Sequence, residues 1–168
     1  YQISHAMFVG VSSAVQPING FNFGARHYDR VRKTYRMAAG ISLAISAIWF
    51  AIYQLLPAQI GSLFVSGNDL YTECAVHCFR IYMMAFFLYG LHMTTASFFQ
   101  GIGKPAKALA LPLARQGIFL IPLAFGLSAV YGMDGALMAA PIADVAAFVL
   151  SAVLARTEFG SWKKKGMV

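Results

Sequence analysis

Charged residues along the chain are bunched, and the stretches between the bunches are long enough to cross a bilayer. Residues 37–68 are 32 consecutive uncharged positions. Within them 37–57 (MAAGISLAISAIWFAIYQLLP) matches the roughly 20 helical residues that a hydrocarbon core of about 30 Å requires. Residues 81–103 are 23 more; the segment after Lys107 reaches Tyr131 with one interruption at Arg115, and a further span, 135–156, is interrupted at Asp144. The opening stretch reads as the end of one more helix, expected to stop at Gln16 because Pro17 follows. In lipid only helices satisfy their own backbone without closing a barrel, and these runs are too long and unbroken for barrel strands. The expected fold class is therefore all-α: a polytopic membrane helix bundle of about five transmembrane helices, with spans near 1–17, 37–57, 70–99, 107–131 and 135–156, the first one truncated. Ser66 followed three residues later by Asp69 resembles a capping box, so the third helix is expected to start near Leu70 and run unbroken to Phe99. At 1.5 Å per residue that is about 45 Å, longer than the core, so this helix should tilt or project.

Composition strengthens the membrane reading. Of 168 residues 59% are apolar and only 11% charged, against roughly 25% charged in a soluble domain. The formal net charge of +7 would suggest nucleic acid in a soluble protein, but its distribution gives another reason. The connections and the tail hold 5, 0, 2, 0 and 4 basic residues in chain order. Eleven of the 13 therefore fall on alternate connections, which predicts that those connections and the C-terminus are cytoplasmic. The expected surroundings are a lipid bilayer, at the cell membrane; no nucleic acid is needed. Tyr28, Val31 and Tyr35 lie at helical spacing within the basic connection 20–36, which is either an interfacial helix on an anionic leaflet or a solvated positive loop. Two cysteines make no disulfide framework. The chain opens at Tyr1, without Met or a charged leader, and is read as a segment cut from a longer protein.

One motif stands where the first helix meets that connection: Val15-Gln16-Pro17-Ile18-Asn19-Gly20-Phe21-Asn22-Phe23-Gly24-Ala25-Arg26, then Asp29-Arg30-Val31. It resembles the Gln-Pro, Gly, Asn-x-Gly-Ala run of multidrug and toxic compound extrusion (MATE) transporters. Phe99-Gln100-Gly101-Ile102-Gly103-Lys104, Ala114-Arg115-Gln116 with Pro122, and Pro141-Ile142-Ala143-Asp144 are similar to further stretches of that family. The resemblance implies the C-terminal lobe of a twelve-helix transporter of two six-helix lobes, with the N-terminal lobe of the same protein absent from this chain. It also implies secondary antiport, exporting lipophilic and often cationic small molecules in exchange for H+ or Na+, with no cofactor beyond that ion. A related lipid-linked saccharide flippase and a non-transporting scaffold or inactive fragment are the alternatives.

Individual residues sharpen the expectation. An acid near mid-span costs about 2.5–3.5 kcal/mol on insertion scales and marks function by default; Asp144 is that acid. Arg115 is expected within reach of it from the neighbouring span, as a packing pair or as part of an ion-coupling site. Some family members carry a carboxylate on the helix matching 81–99; this helix has none, which leaves the coupling site either at Asp144 or in the absent N-terminal lobe, and His92 is its candidate titratable group, a proton carrier, a cavity residue or a packing residue. Tyr82, Phe86, Tyr89 and Met93 share one helical face as candidates to line a substrate cavity, with lipid contact as the alternative. The face of Gly90, Thr94, Ser97 and Gly101 is expected to be a packing seam. Pro112, Pro122 and Pro141 each remove a backbone donor and are candidate hinges or fixed kinks. Cys74, His77 and Cys78 lack a fourth ligand, so no metal site is expected. No nucleophile and base come together in loops this short, and enzymatic chemistry is not expected.

Overall fold

The computed structural model describes residues 2–62, 69–164 and 166, so the capping box expected at Ser66 lies outside the described residues. Every described segment of regular structure is helical: α1 (Gln2–Gly24), α2 (Tyr28–Leu55), α3 (Pro57–Ser62), α4 (Asp69–Tyr82), α5 (Phe86–Gly101), α6 (Pro105–Leu113), a π-helical segment (Ala114–Leu120) and α7 (Ile121–Lys164). By length and composition α2 and the continuous rod Pro105–Lys164 are able to cross a membrane. The bent pair Glu73–Tyr82 and Phe86–Gly101 is a third such span when taken together. The 60-residue rod is two legs rather than one pole. Gly132, at φ 61 and ψ −135, breaks the helical backbone inside it, and Arg115 on the first leg meets Asp144 on the second. α1 packs alongside, against α2 and α5.

The turns at one end carry the basic residues. Arg26 adopts a left-handed φ of 58 between α1 and α2, and Gly103 one of 72 between α5 and α6. This is the end at which the chain also finishes, with Lys163 and Lys164 in the last turn of α7. We refer to it as the basic end.

Three expectations about the elements change. Pro17 does not end the first helix, which continues seven residues to Gly24. A single missing N–H leaves one carbonyl unpaired, whereas stopping a helix in an apolar setting unpairs several. The connection 20–36 is neither a loop nor a surface helix, because α2 starts at Tyr28. Val31 and Tyr35 are buried in its first turns, in a core with Phe98, Phe99, Leu111 and Trp162. The third helix is also not continuous: α4 and α5 meet at 48°. Around residues 83–86 the amide bonds of Met84, Phe86 and Leu88 reach three residues back instead of four, a local tightening that re-aims the chain. Neither Gly nor Pro stands there to announce it.

α5 is the central element, packed against α1, α2, α6 and α7. Its small face makes this possible. A Cβ on Gly90 would lie 2.6 Å from the Ser42 carbonyl oxygen, and one on Gly101 would lie 2.9 Å from the Gln16 carbonyl oxygen. Only glycine lets the backbones come this near. Hydroxyls fill the α2–α5 seam. The Thr94 hydroxyl donates to the Gly90 carbonyl and that of Thr95 to the Leu91 carbonyl. Ser42 therefore donates to Thr94 at 2.6 Å, and Tyr35 to Thr95 at 3.0 Å. Each such bond between membrane helices contributes about 0.6 kcal/mol.

At the basic end a buried carboxylate ties the last leg to the α5–α6 turn. Glu158, 1% exposed, pairs with Lys104 and, at 2.8 Å, with Lys107, and accepts a hydrogen bond from the Trp162 indole at 2.9 Å. Glu158→Ala removes the shared acceptor of three donors. We expect a loss of roughly 1.5–3 kcal/mol, the worth of hydrogen bonds to a charged group, read as thermal unfolding of the detergent-solubilised protein. Glu158→Gln, which keeps an acceptor for Trp162, should lose less; unchanged unfolding of both variants would mean the latch does not hold the end together.

Candidate functional site

Arg115 enters the site from an unusual stretch of backbone. Pro112 and Pro122 bracket it, and over Ala114–Leu120 the helix widens to π geometry, with the Ile121 amide bonding to the Gln116 carbonyl five residues back. π segments recur at functional sites because the wider turn re-aims a side chain. Here that side chain is Arg115. Pro141 behaves differently: the backbone stays helical through it, Gly132 being the break inside α7.

From the second leg of α7, Asp144 meets Arg115 directly. The guanidinium Nε and Nη2 both lie 2.7 Å from Oδ1, and the two side chains are 10% and 5% exposed. Arg115 Nη1 also donates to the Gln116 side-chain oxygen at 3.1 Å. Its guanidinium carbon stands 5.0 Å from the centroid of the Tyr89 ring, within cation–π range. Two intramembrane charges are thus held by each other, by an amide and by an aromatic face, the circumstance in which buried charges are tolerated.

Beside the pair opens a cavity of about 380 Å³. Tyr89, His92 and Met93 of α5 line it, with Pro112, Arg115 and Gln116 opposite. His92 is 2% exposed and its Nδ1 lies 3.1 Å from the Ser151 hydroxyl oxygen. Ser151 donates its own hydrogen to the Ala147 carbonyl at 2.7 Å, so Nδ1 is the donor and carries a proton. The histidine is anchored to α7 while facing the cavity.

The expected aromatic face divides at Tyr82. Tyr89 and Met93 reach this cavity with His92. Phe86 stacks on Tyr89 with ring centroids 5.6 Å apart and shares an apolar cluster with it, Phe8 and Tyr53, without lining the cavity. Tyr82 lies across the α4–α5 bend and lines a separate hollow with Cys78 and Phe79. The bend separates positions that an unbroken helix would have aligned. His77, beside the two cysteines, pairs with Asp134 at 2.8 Å. Two lining residues went unnoticed in the sequence: Gln2 and His5 on α1, where the His5 ring stands 6.2 Å from Tyr89. The signal was available as two polar side chains one turn apart in an apolar run.

This architecture, packed helices around a buried charge pair and a small cavity, is that of a polytopic membrane helix bundle. The MatE family matches residues 1–125. The chain belongs to that family, whose members are transporters and not enzymes. It is similar to MepA of Staphylococcus aureus (strain MSSA476), a multidrug export protein, at 24% identity over 145 residues, 85% of this chain and 31% of MepA. The chain therefore spans about a third of that relative's length. Among solved structures it is similar to the MATE multidrug transporter DinF-BH, solved with a small-molecule ligand bound: 36% identity, TM-score 0.82, 88% of this chain and 33% of that one. An inward-facing multidrug resistance MATE family transporter of the MOP superfamily shares the fold, with 21% identity, a TM-score of 0.89, and coverage of 97% of this chain and 38% of that one.

The pair makes an asymmetric prediction. Asp144→Leu strands a guanidinium that cannot deprotonate, and we expect a loss of about 3–5 kcal/mol. Arg115→Met leaves a carboxyl that can take up a proton and should cost less. The double variant should regain much of the loss, since an apolar replacement of a buried pair is often neutral. Unfolding of the purified protein in detergent measures all three; strictly additive losses would mean the two side chains do not act as a pair.

Proposed function

We propose that this chain is the C-terminal lobe of a secondary antiporter that exports lipophilic, often cationic small molecules in exchange for H+ or Na+. The basic end faces the cytoplasm. The observation that carries the reading is the Arg115–Asp144 pair, whose Arg115 lines an aromatic and thioether-lined cavity. Membership of the MatE family, similarity to a multidrug export protein and likeness to a multidrug transporter solved with a small molecule bound support it.

The chemistry follows from which carboxylate oxygen is used. Nε and Nη2 of Arg115 both approach Oδ1, and we take Oδ2 as the oxygen at which a proton or Na+ adds. Adding positive charge there weakens the hold of Asp144 on Arg115. The freed guanidinium then competes with a cationic cargo over the Tyr89 face, where the two positive charges repel. Ion and cargo thereby exclude one another from one small volume. The π segment between Pro112 and Pro122 is the natural place for Arg115 to shift, because its hydrogen-bond ladder is already rearranged.

Asp144→Asn in the complete protein tests the coupling. The amide keeps an acceptor for Arg115 but cannot ionise, so insertion and protein level should persist. Ion-driven efflux should fall by more than about tenfold, the equivalent of about 1.4 kcal/mol. Undiminished efflux across pH and Na+ would exclude Asp144 as the coupling group.

A further inference from the structure

A second concavity, larger than the one beside Arg115 and on a different face, lies at the basic end. It is a groove of about 750 Å³ between α2 and the last leg of α7, both of which pack on α5. Tyr35 and Phe159 meet across it with ring centroids 5.3 Å apart.

Its polarity is graded along its length. At the mouth stand four cations: Arg32 and Arg36 one turn apart on α2, Arg156 and Lys163 two turns apart on α7. Deeper in, the lining is Leu91, Phe148 and Ala152. Phe148 precedes Arg156 by eight helical residues, about 12 Å along the axis. The groove therefore begins at the level of the terminal cations and runs into the apolar middle of the bundle.

Among the described residues no carboxylate lines it. Among the described residues the ion pairs involve His77, Lys104, Lys107 and Arg115, and none of the four mouth cations. Glu158 is adjacent to this wall in sequence, but it is buried and committed to Lys104, Lys107 and Trp162. Arg32 is nevertheless positioned, its guanidinium carbon 6.0 Å from the Phe159 ring centroid. Asp29, one turn before Arg32 on α2, does not line the groove, and four like charges gathered there repel one another unless an anion sits among them.

We propose that this groove binds an anionic phospholipid, its phosphate among Arg32, Arg36, Arg156 and Lys163 and one acyl chain along Leu91, Phe148 and Ala152. Charge complementarity selects the headgroup, and the fork of an arginine suits a phosphate bidentately. The apolar floor selects a lipid over a soluble anion, which would engage the mouth alone. Basic pockets between membrane helices on the cytoplasmic side bind headgroups in this way. The lipid bridges α2 to α7, so its binding stabilises the folded bundle by mass action. The proposal needs only that the bundle spans a membrane and does not depend on what is transported.

The test uses the complete transporter, delipidated in detergent and titrated with phosphatidylglycerol or phosphatidylcholine, with native mass spectrometry and thermal unfolding as readouts. Phosphatidylglycerol should bind preferentially and raise the unfolding temperature. The Arg36→Gln/Arg156→Gln variant should lose about thirtyfold in that affinity, about fivefold per charge, corresponding to about 1 kcal/mol each. Lys164→Gln, a cation outside the groove, should bind as the parent does. Equal binding of the two lipids, or undiminished phosphatidylglycerol binding by the double variant, would overturn the proposal. Displacement of the lipid by excess inorganic phosphate would overturn it too, by making the mouth a soluble-anion site.

Discussion

Backbone hydrogen bonding in a medium without water is the constraint on which the rest depends. An unpaired amide or carbonyl in hydrocarbon costs several kcal/mol, and the chain answers by keeping its backbone helical wherever it is apolar. That explains why Pro17 and Pro141 sit inside continuous helices. It also explains why the region between Pro112 and Pro122 widens to π geometry instead of opening into a loop. Polar side chains at the α2–α5 seam and at the charge pair obey the same rule. The hydroxyls of the α2–α5 seam point at carbonyls or at one another, and Arg115 and Asp144 neutralise each other.

Helices made this way gain little from hydrophobic attraction, since lipid is as apolar as leucine. Close approach and a few polar ties hold the bundle instead. The motif by which the sequence resembles its family serves this purpose. Gln16 donates to Gln100 at 2.9 Å, and a Cβ on Gly20 would stand 3.2 Å from the Gly101 carbonyl oxygen. The stretches around Gln16 and Gln100 are thus two sides of one helix crossing. At the same end, Glu158 closes the bundle.

The helical class was legible because it follows from long runs of uncharged residues. The Arg115–Asp144 contact was legible because two neighbouring spans put the residues about four positions, roughly 6 Å, apart in depth, within reach of an arginine side chain. The α4–α5 bend was not, and it decided the candidate site. It separates Tyr82 from Tyr89 without any Gly or Pro, through tightened hydrogen bonds at Met84 and Phe86. Its cause is tertiary packing around Met83 and Phe86, which no local pattern records. The start of α2 was misplaced for a related reason. Five basic residues masked the fact that Val31 and Tyr35 face inward, because long cationic side chains leave a helix on one side while its other face packs.

The account stands on passes that alternate across a membrane with the basic end in the cytoplasm. Single cysteines in the complete protein, with Cys74 and Cys78 replaced by serine, test it directly with a membrane-impermeant maleimide on intact cells. A cysteine at Met133, exposed at the turn between the two legs, should be labelled from outside, and one at Lys164 only after permeabilisation. Labelling of both from the same side would contradict the account.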